Sequence, residues 1–196
     1  MIAIIDYDTG NLRSVCNALD RIGADYCLTD DPSVIKCADK VLLPGVGEAS
    51  SAMKKLKERG LCDVVKELTV PVLGICIGMQ LMCRHSEEGD VDCLGIFDSV
   101  VRKFEAEPSK GVKVPHMGWN TLSDIRTDLF RGLRDGDFVY FVHSFAADVC
   151  DDAIAVSENG RRFSAALCRD NFYGVQFHPE KSGIIGETIL KNFVSL

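Results

Sequence analysis

The sequence has no apolar run long enough to cross a membrane. Its longest near-apolar stretch, Val70–Met79, is broken by Pro71, Gly74 and Gly78 and falls short of the roughly 18 residues a spanning helix needs. The start of the chain has neither a basic region nor a long apolar segment, because Ile2–Ile5 runs straight into Asp6, so no secretion signal is expected. Positive charge is also short: 22 Lys and Arg stand against 29 Asp and Glu, a net charge of -7. Such a chain lacks the cationic excess that phosphate neutralisation requires, which excludes nucleic acid as an expected partner. The one basic cluster, Lys54–Arg59, falls on a helical pattern and reads as a solvated face. No Cys-x-x-Cys pair occurs, and the four histidines are scattered at 85, 116, 143 and 178, so neither a zinc site nor a disulfide framework is indicated. A phosphate-binding Gly-Lys-Ser/Thr loop is missing as well. Linkers, repeats and low-complexity stretches are absent, and 196 residues suffice to bury a core without staples, so a single domain over 1–196 is expected. Cysteine, by contrast, is plentiful. Nine free thiols, an odd number, point to a reducing compartment and a cytoplasmic location.

What is present alternates short apolar runs with helical periodicities. Ile2–Ile5, Lys40–Leu43 and Val72–Ile75 read as buried strands, and Leu12, Val15, Cys16, Leu19 and Ile22 recur on one helical face up to Gly23. Strands apolar on both faces imply a parallel sheet covered by helices. The second half is richer in strands, expected at 100–104, 112–114, 138–142, 153–156, 164–167 and 173–176, before a final helix near 183–194. The fold class is therefore α/β: an open, mostly parallel twisted sheet with helices on both faces, plus an antiparallel section in the second half.

Ligands in such sheets bind beyond the carboxyl ends of the strands, and three strand ends here carry unusual residues. Gly74-Ile75-Cys76-Ile77-Gly78 has the form of a nucleophile elbow with Cys in place of Ser; small flanking residues let the chain turn and hold the thiol clear of the backbone. A helix N-terminus there would favour thiolate. Tyr173–Glu180 ends a strand in His178, with Glu180 two residues on, and extended residues i and i+2 point the same way. An isolated His-x-Glu carries little weight, but with a cysteine elbow elsewhere it supplies base and orienting carboxylate. Leu43-Pro44-Gly45-Val46-Gly47 could bring backbone N–H groups to an oxyanion; the absent third glycine and the adjacent Glu48 argue against a dinucleotide loop.

With these three elements the chain resembles the class I, triad-type glutamine amidotransferases over nearly its whole length. Within the family its motifs are most similar to the imidazole glycerol phosphate synthase branch of histidine biosynthesis. They are Asp6-Tyr7 with Gly10-Asn11-Leu12, Pro44-Gly45-Val46-Gly47, Gly74–Gln80, Ser86-Glu87-Glu88-Gly89, His116–Asn120, Phe141–Phe145 and His178–Lys181. Sister branches serving anthranilate and aminodeoxychorismate carry Pro-Gly-Pro-Gly at the second motif and usually His at the place of Met79. The pyridoxal phosphate branch carries a Gly-Gly-Glu-Ser motif absent here.

The resemblance implies a flavodoxin-like fold, no cofactor and no metal. It makes Cys76 the nucleophile on glutamine, His178 the proton carrier and Glu180 its orienter. It places the oxyanion against Val46, Gly47 and Ile77, and glutamine against Gly45, Gln80, Glu88, Ser144 and Phe145. Phe145 stands where the family often has tyrosine, a change that a main-chain role would tolerate. Trp119, Asn120, Tyr140 and Lys181 resemble positions facing a partner, although sequence physics alone would make the sole tryptophan core filler. The implied partner is a separate cyclase subunit with a (β/α)8-barrel fold, joined as a heterodimer and receiving ammonia through a tunnel. An unpartnered enzyme would waste glutamine, so ligand on the cyclase is expected to raise activity by completing the oxyanion hole at Val46–Gly47. Rival readings are the glutaminase of a sister branch, a stand-alone γ-glutamyl hydrolase, an inactive scaffold, or a thiol redox protein. The last is weakened by Cys83, which lies seven residues along the same helix and about 10 Å from Cys76, too far for a disulfide.

Overall fold

The computed structural model of the chain describes residues 1–8 and 12–196, so Gly10 and Asn11 of the first motif lie outside the described residues. Five parallel strands carry the site: β1 (Ile2–Ile5), β2 (Tyr26–Thr29), β3 (Lys40–Gly45), β4 (Val72–Cys76) and, later in the chain, the strand Phe172–Val175. Between the first four run α1 (Leu12–Ile22), α2 (Pro32–Cys37), α3 (Ala49–Glu58) and α4 (Leu61–Lys66), and α5 (Ile77–Met82) follows β4 without a gap. Three small strands come next, β5 (His85–Ser86), β6 (Val91–Asp92) and β7 (Val100–Lys103). A ribbon of β8 (His116–Thr121) and β9 (Phe138–His143) leads to β10 (Phe145–Ala147), and β11 (Ala153–Asn159), β12 (Arg161–Arg169) and β13 (Phe172–Val175) precede α6 (Gly183–Ser195).

The main sheet has the order β11-β12-β13-β4-β3-β1-β2, in which β12 runs antiparallel to its neighbours β11 and β13 and the other neighbouring pairs are parallel. The expected antiparallel section is thus grafted onto the β13 edge. Its β1 steps outward to β2, whereas β3 and β4 build the opposite way. Right-handed crossovers then place α1 on one face and α2, α3 and α4 on the other; α6 packs against α1, and α5 against α3. Both faces are therefore covered, which is why Ile2–Ile5 and Val72–Cys76 are buried without alternation. A smaller sheet, β10-β7-β5-β6, and the β8–β9 ribbon flank the carboxyl ends of these strands.

Two expectations shift. The segment 112–114 is not a strand; Val112 makes only an isolated bridge to Glu107. Instead β8 forms at His116–Thr121, where polar residues on the inward face hide the usual apolar alternation. Strand register then aligns the site. Gly45 pairs with Cys76 and Val175 with Ile75, so β3, β4 and β13 end at one level and their following segments emerge side by side.

Residue 78 fixes how closely α5 approaches the sheet. A Cβ there would lie 1.7 Å from the Leu43 carbonyl oxygen, a backbone atom that cannot yield cheaply. Gly78→Ala is therefore expected to destabilise the chain by about 1–3 kcal/mol or more, a fall in Tm of roughly 2–4 °C per kcal/mol. Thermal unfolding followed by circular dichroism measures it, and an unchanged Tm would mean that α5 is not seated this way.

Candidate active site

Cys76 ends β4 and caps α5 with φ 55° and ψ -110°, a left-handed conformation for a residue with a Cβ. Such a backbone costs on the order of 1–3 kcal/mol and persists only where its surroundings impose it. Here they do: β3 and β13 hold the strand on both sides, and α5 is pressed against Leu43. The turn leaves the thiol 3.9 Å from the Val142 carbonyl, while the Gln176 side-chain amide approaches Sγ at 3.8 Å. Because α5 is only six residues long, polarity at this end comes from its free N–H groups more than from a long aligned dipole.

His178 follows β13 and comes against the thiol. Its Nδ1 lies 2.8 Å from Glu180 Oε1, which leaves Nε2 for Cys76. The two side chains are 6% and 3% exposed. The turn that carries them is stitched to β9: the His178 N–H donates to the Tyr140 carbonyl, the Ser182 hydroxyl to the His178 carbonyl, and the Tyr140 N–H to the Ser182 hydroxyl. Burial pulls the imidazolium down, but hydrogen bonds and charge interaction with Cys76 and Glu180 outweigh it and push His178 up to about 10. The ring therefore holds a proton at neutral pH, ready for a leaving group.

These residues open into a cavity of about 310 Å³, within the range of small-molecule sites. Val46, Gly47, Ile77, Gln80, Glu88, Ser144, Phe145 and Lys181 line it together with Cys76 and His178. Pro115, Val142 and His143 also line it, and sequence reasoning had given none of them a role. Glu180 sits behind His178. Glu88 accepts the Ala49 N–H at 3.0 Å, and its carboxyl is raised, chiefly by burial and further by Glu48. The Phe145 carbonyl receives the Gln80 amide at 3.0 Å, a main-chain role indifferent to a tyrosine hydroxyl. Gln80 Oε1 is buried with no hydrogen-bond partner.

Several placements differ from expectation. Gly45 does not line this cavity; a Cβ there would meet Gly78 N, Ile77 Cβ and the Tyr7 hydroxyl within 2.9 Å, so it permits close packing instead. Trp119 is not core filler but 55% exposed, its ring edge-on to Tyr140 with centroids 5.8 Å apart. Asn120 is half-buried and donates to the Glu158 carbonyl at 2.8 Å. All nine cysteines are free. Cys83 is fully buried and its thiol is held well above its ordinary value by that burial, which removes it as a redox mate. Among the described residues no cluster of His, Cys, Asp and Glu is arranged to hold a metal ion. No helix among them is long and apolar enough to cross a membrane.

Residues 3–196 match the family described as "Glutamine amidotransferase class-I". The imidazole glycerol phosphate synthase subunit HisH of Bacteroides fragilis strain YCH46 is 56% identical over 195 residues, covering 100% of this chain and 99% of the relative. That of Bacteroides thetaiotaomicron is 53% identical, with the same coverage. The crystal structure of a glutamine amidotransferase superposes with a TM-score of 0.75 at 16% identity, covering 100% of this chain and 98% of that one, a likeness of fold.

The buried imidazolium has a consequence for stability. His178 rises from 6.5 in the unfolded chain to about 10, so its contribution is complete below about pH 6.5 and is lost as pH climbs through 10. The stability gap between the chain and His178→Gln, from urea unfolding, should narrow steadily over that window. A gap independent of pH would contradict the pairing with Cys76 and Glu180.

Proposed function

The chain belongs to the class-I glutamine amidotransferase family, and from that premise we propose that it is the glutamine-hydrolysing subunit of imidazole glycerol phosphate synthase in histidine biosynthesis. One observation carries the chemical reading: Cys76, in a strained turn, and His178, paired with Glu180, meet at the floor of one cavity.

The proton of the Cys76 thiol passes to His178, and Cys76 Sγ attacks the side-chain amide carbon of glutamine. The oxyanion that forms lies against the N–H of Ile77 and the Val46–Gly47 segment, and losing one such donor typically raises the barrier by about 3–4 kcal/mol. As the tetrahedral intermediate collapses, the C–N bond breaks and His178 gives its proton to the departing ammonia, leaving a γ-glutamyl thioester on Cys76. Water then attacks the thioester carbon and gives a proton to His178, and the C–S bond breaks to release glutamate. Glu180 holds the ring and stabilises its cation throughout. Overall, glutamine and water become glutamate and ammonia.

The cavity's polar groups suit a zwitterionic amino acid. Gln80 Oε1 and the Glu88 carboxylate are acceptors for its ammonium group, and Ser144–Phe145 offers main chain. The lyase chemistry belongs to a separate cyclase subunit, a (β/α)8 barrel, to which the ammonia passes. Its docking surface is the outward face of the β8–β9 ribbon, where Met117, Trp119 and Phe138 are each more than half exposed beside Tyr140. Lys181, exposed at the cavity rim, adjoins that surface. Such a partner keeps glutamine from being hydrolysed to no purpose.

The test is glutamate release from glutamine by the chain alone, then with the cyclase and its ribonucleotide ligand, with Cys76→Ala as the blank. Slow release alone, strong release in the ligand-bound complex and none from the variant are expected. Full-speed turnover by the lone chain, unstimulated by the cyclase, would keep the triad and discard the pathway.

A further inference from the structure

His143 in the cavity wall and His116 behind it are buried side by side in an aromatic cluster and take no part in the chemistry above. The two side chains belong to residues 8% and 7% exposed; His116 stacks on Phe141 at 5.0 Å and meets Phe104 and Phe163 edge-on, while His143 meets Phe104 edge-on and Phe163 at a tilt. Packing alone would be served as well by apolar residues, so the hydrogen bonds need an explanation. His143 Nδ1 lies 2.8 Å from the Phe145 carbonyl oxygen, His143 Nε2 lies 3.0 Å from His116 Nδ1, and His116 Nε2 lies 3.2 Å from Asn120 Nδ2.

The direction of every bond in this series is fixed. A carbonyl only accepts, so His143 carries its proton on Nδ1 and, being neutral, accepts at Nε2. His116 must then donate from Nδ1 and accept at Nε2 from Asn120. The Asn120 amide is itself oriented, since its oxygen accepts the Thr121 N–H and its nitrogen also donates to Glu158. Burial chiefly pulls His143 down to about 3, with the nearby charges of His178 and Arg161 adding to it against the Phe145 hydrogen bond; burial likewise lowers His116. Both rings therefore stay neutral.

The series continues past the Phe145 carbonyl. That oxygen also accepts from Gln80 Nε2, whose other hydrogen goes to Gln176 Oε1 at 2.9 Å; Gln176 Nε2 in turn approaches Cys76 Sγ. With both Gln80 hydrogens committed, its amide cannot flip without setting oxygen against oxygen. Its Oε1 is left as a buried, unpartnered acceptor on a residue of the cavity wall.

We propose that His116 and His143 are positioning residues for glutamine hydrolysis: their one-way hydrogen-bond series anchors the Phe145 carbonyl and thereby holds Gln80 ready to accept the substrate's ammonium group. This rests on the glutaminase reading. It makes ground-state binding of glutamine, rather than the chemical step, sensitive to the pair.

Two measurements decide it. Imidazole 15N shifts in the intact chain at pH 7 should show both residues as the Nδ1–H tautomer, the less common form in water. An Nε2–H tautomer, or a ring titrating near neutrality, overturns the assignment without any variant. In the ligand-bound cyclase complex, His116→Phe, which keeps ring packing but removes the donor, should raise KM for glutamine about tenfold with kcat changed less than about twofold. His116→Asn restores a donor at the δ position and should bring KM back to within about twofold of the parent. Unchanged KM in His116→Phe, or no rescue by Asn in a variant of parental Tm, contradicts the proposal. If the parent complex released no glutamate, the glutaminase reading would fail, and the tautomers would still decide the relay.

Discussion

The geometry of this site descends from the forced turn at Cys76. A residue with a side chain sits at positive φ because β4 is clamped between β3 and β13 and α5 begins at once against the sheet. Relaxing that turn would swing the thiol away from His178, so the strain is a means of aiming a nucleophile. The close seat of α5 needs hydrogen alone at Gly78 and at Gly45, residues that thereby help set where the sulfur points.

Around that turn the protein arranges two kinds of buried histidine. His178 is paired with a carboxylate and the thiol, and holds a proton that water would otherwise have to supply. His116 and His143 have no carboxylate partner among their hydrogen bonds and remain neutral, so each can present one donor and one acceptor in a fixed order. Opposite protonation within one wall of a cavity follows from the partners each ring meets, not from burial, which all three share.

Cys76 was legible from the glycines two places either side of it at a strand-to-helix junction, and the strand-terminal His178-x-Glu180, weak by itself, became legible only beside that elbow. The main sheet was legible for a similar reason, since Ile2–Ile5 and Val72–Ile75 are apolar on both faces. What escaped notice depended on tertiary partners. The strand at His116–Thr121 carries His116, Gly118 and Asn120 inward, so its buried face looks polar and its exposed face, with Met117 and Trp119, looks apolar. That inversion also explains why the tryptophan reads as core from its chemistry alone. Ser182, which ties the His178 turn to β9, has no sequence signature, because its hydroxyl joins the His178 carbonyl to a backbone N–H 42 residues away.

On the proposed reading, geometry selects one of nine free thiols to react with the glutamine side chain. A glutamine-shaped chloroketone, followed by peptide mass spectrometry, tests it most directly. One label per chain is expected, on the peptide bearing Cys76, with glutamine protecting it and activity lost in step with labelling. Labels spread over several cysteines, or activity surviving complete modification of Cys76, would contradict it.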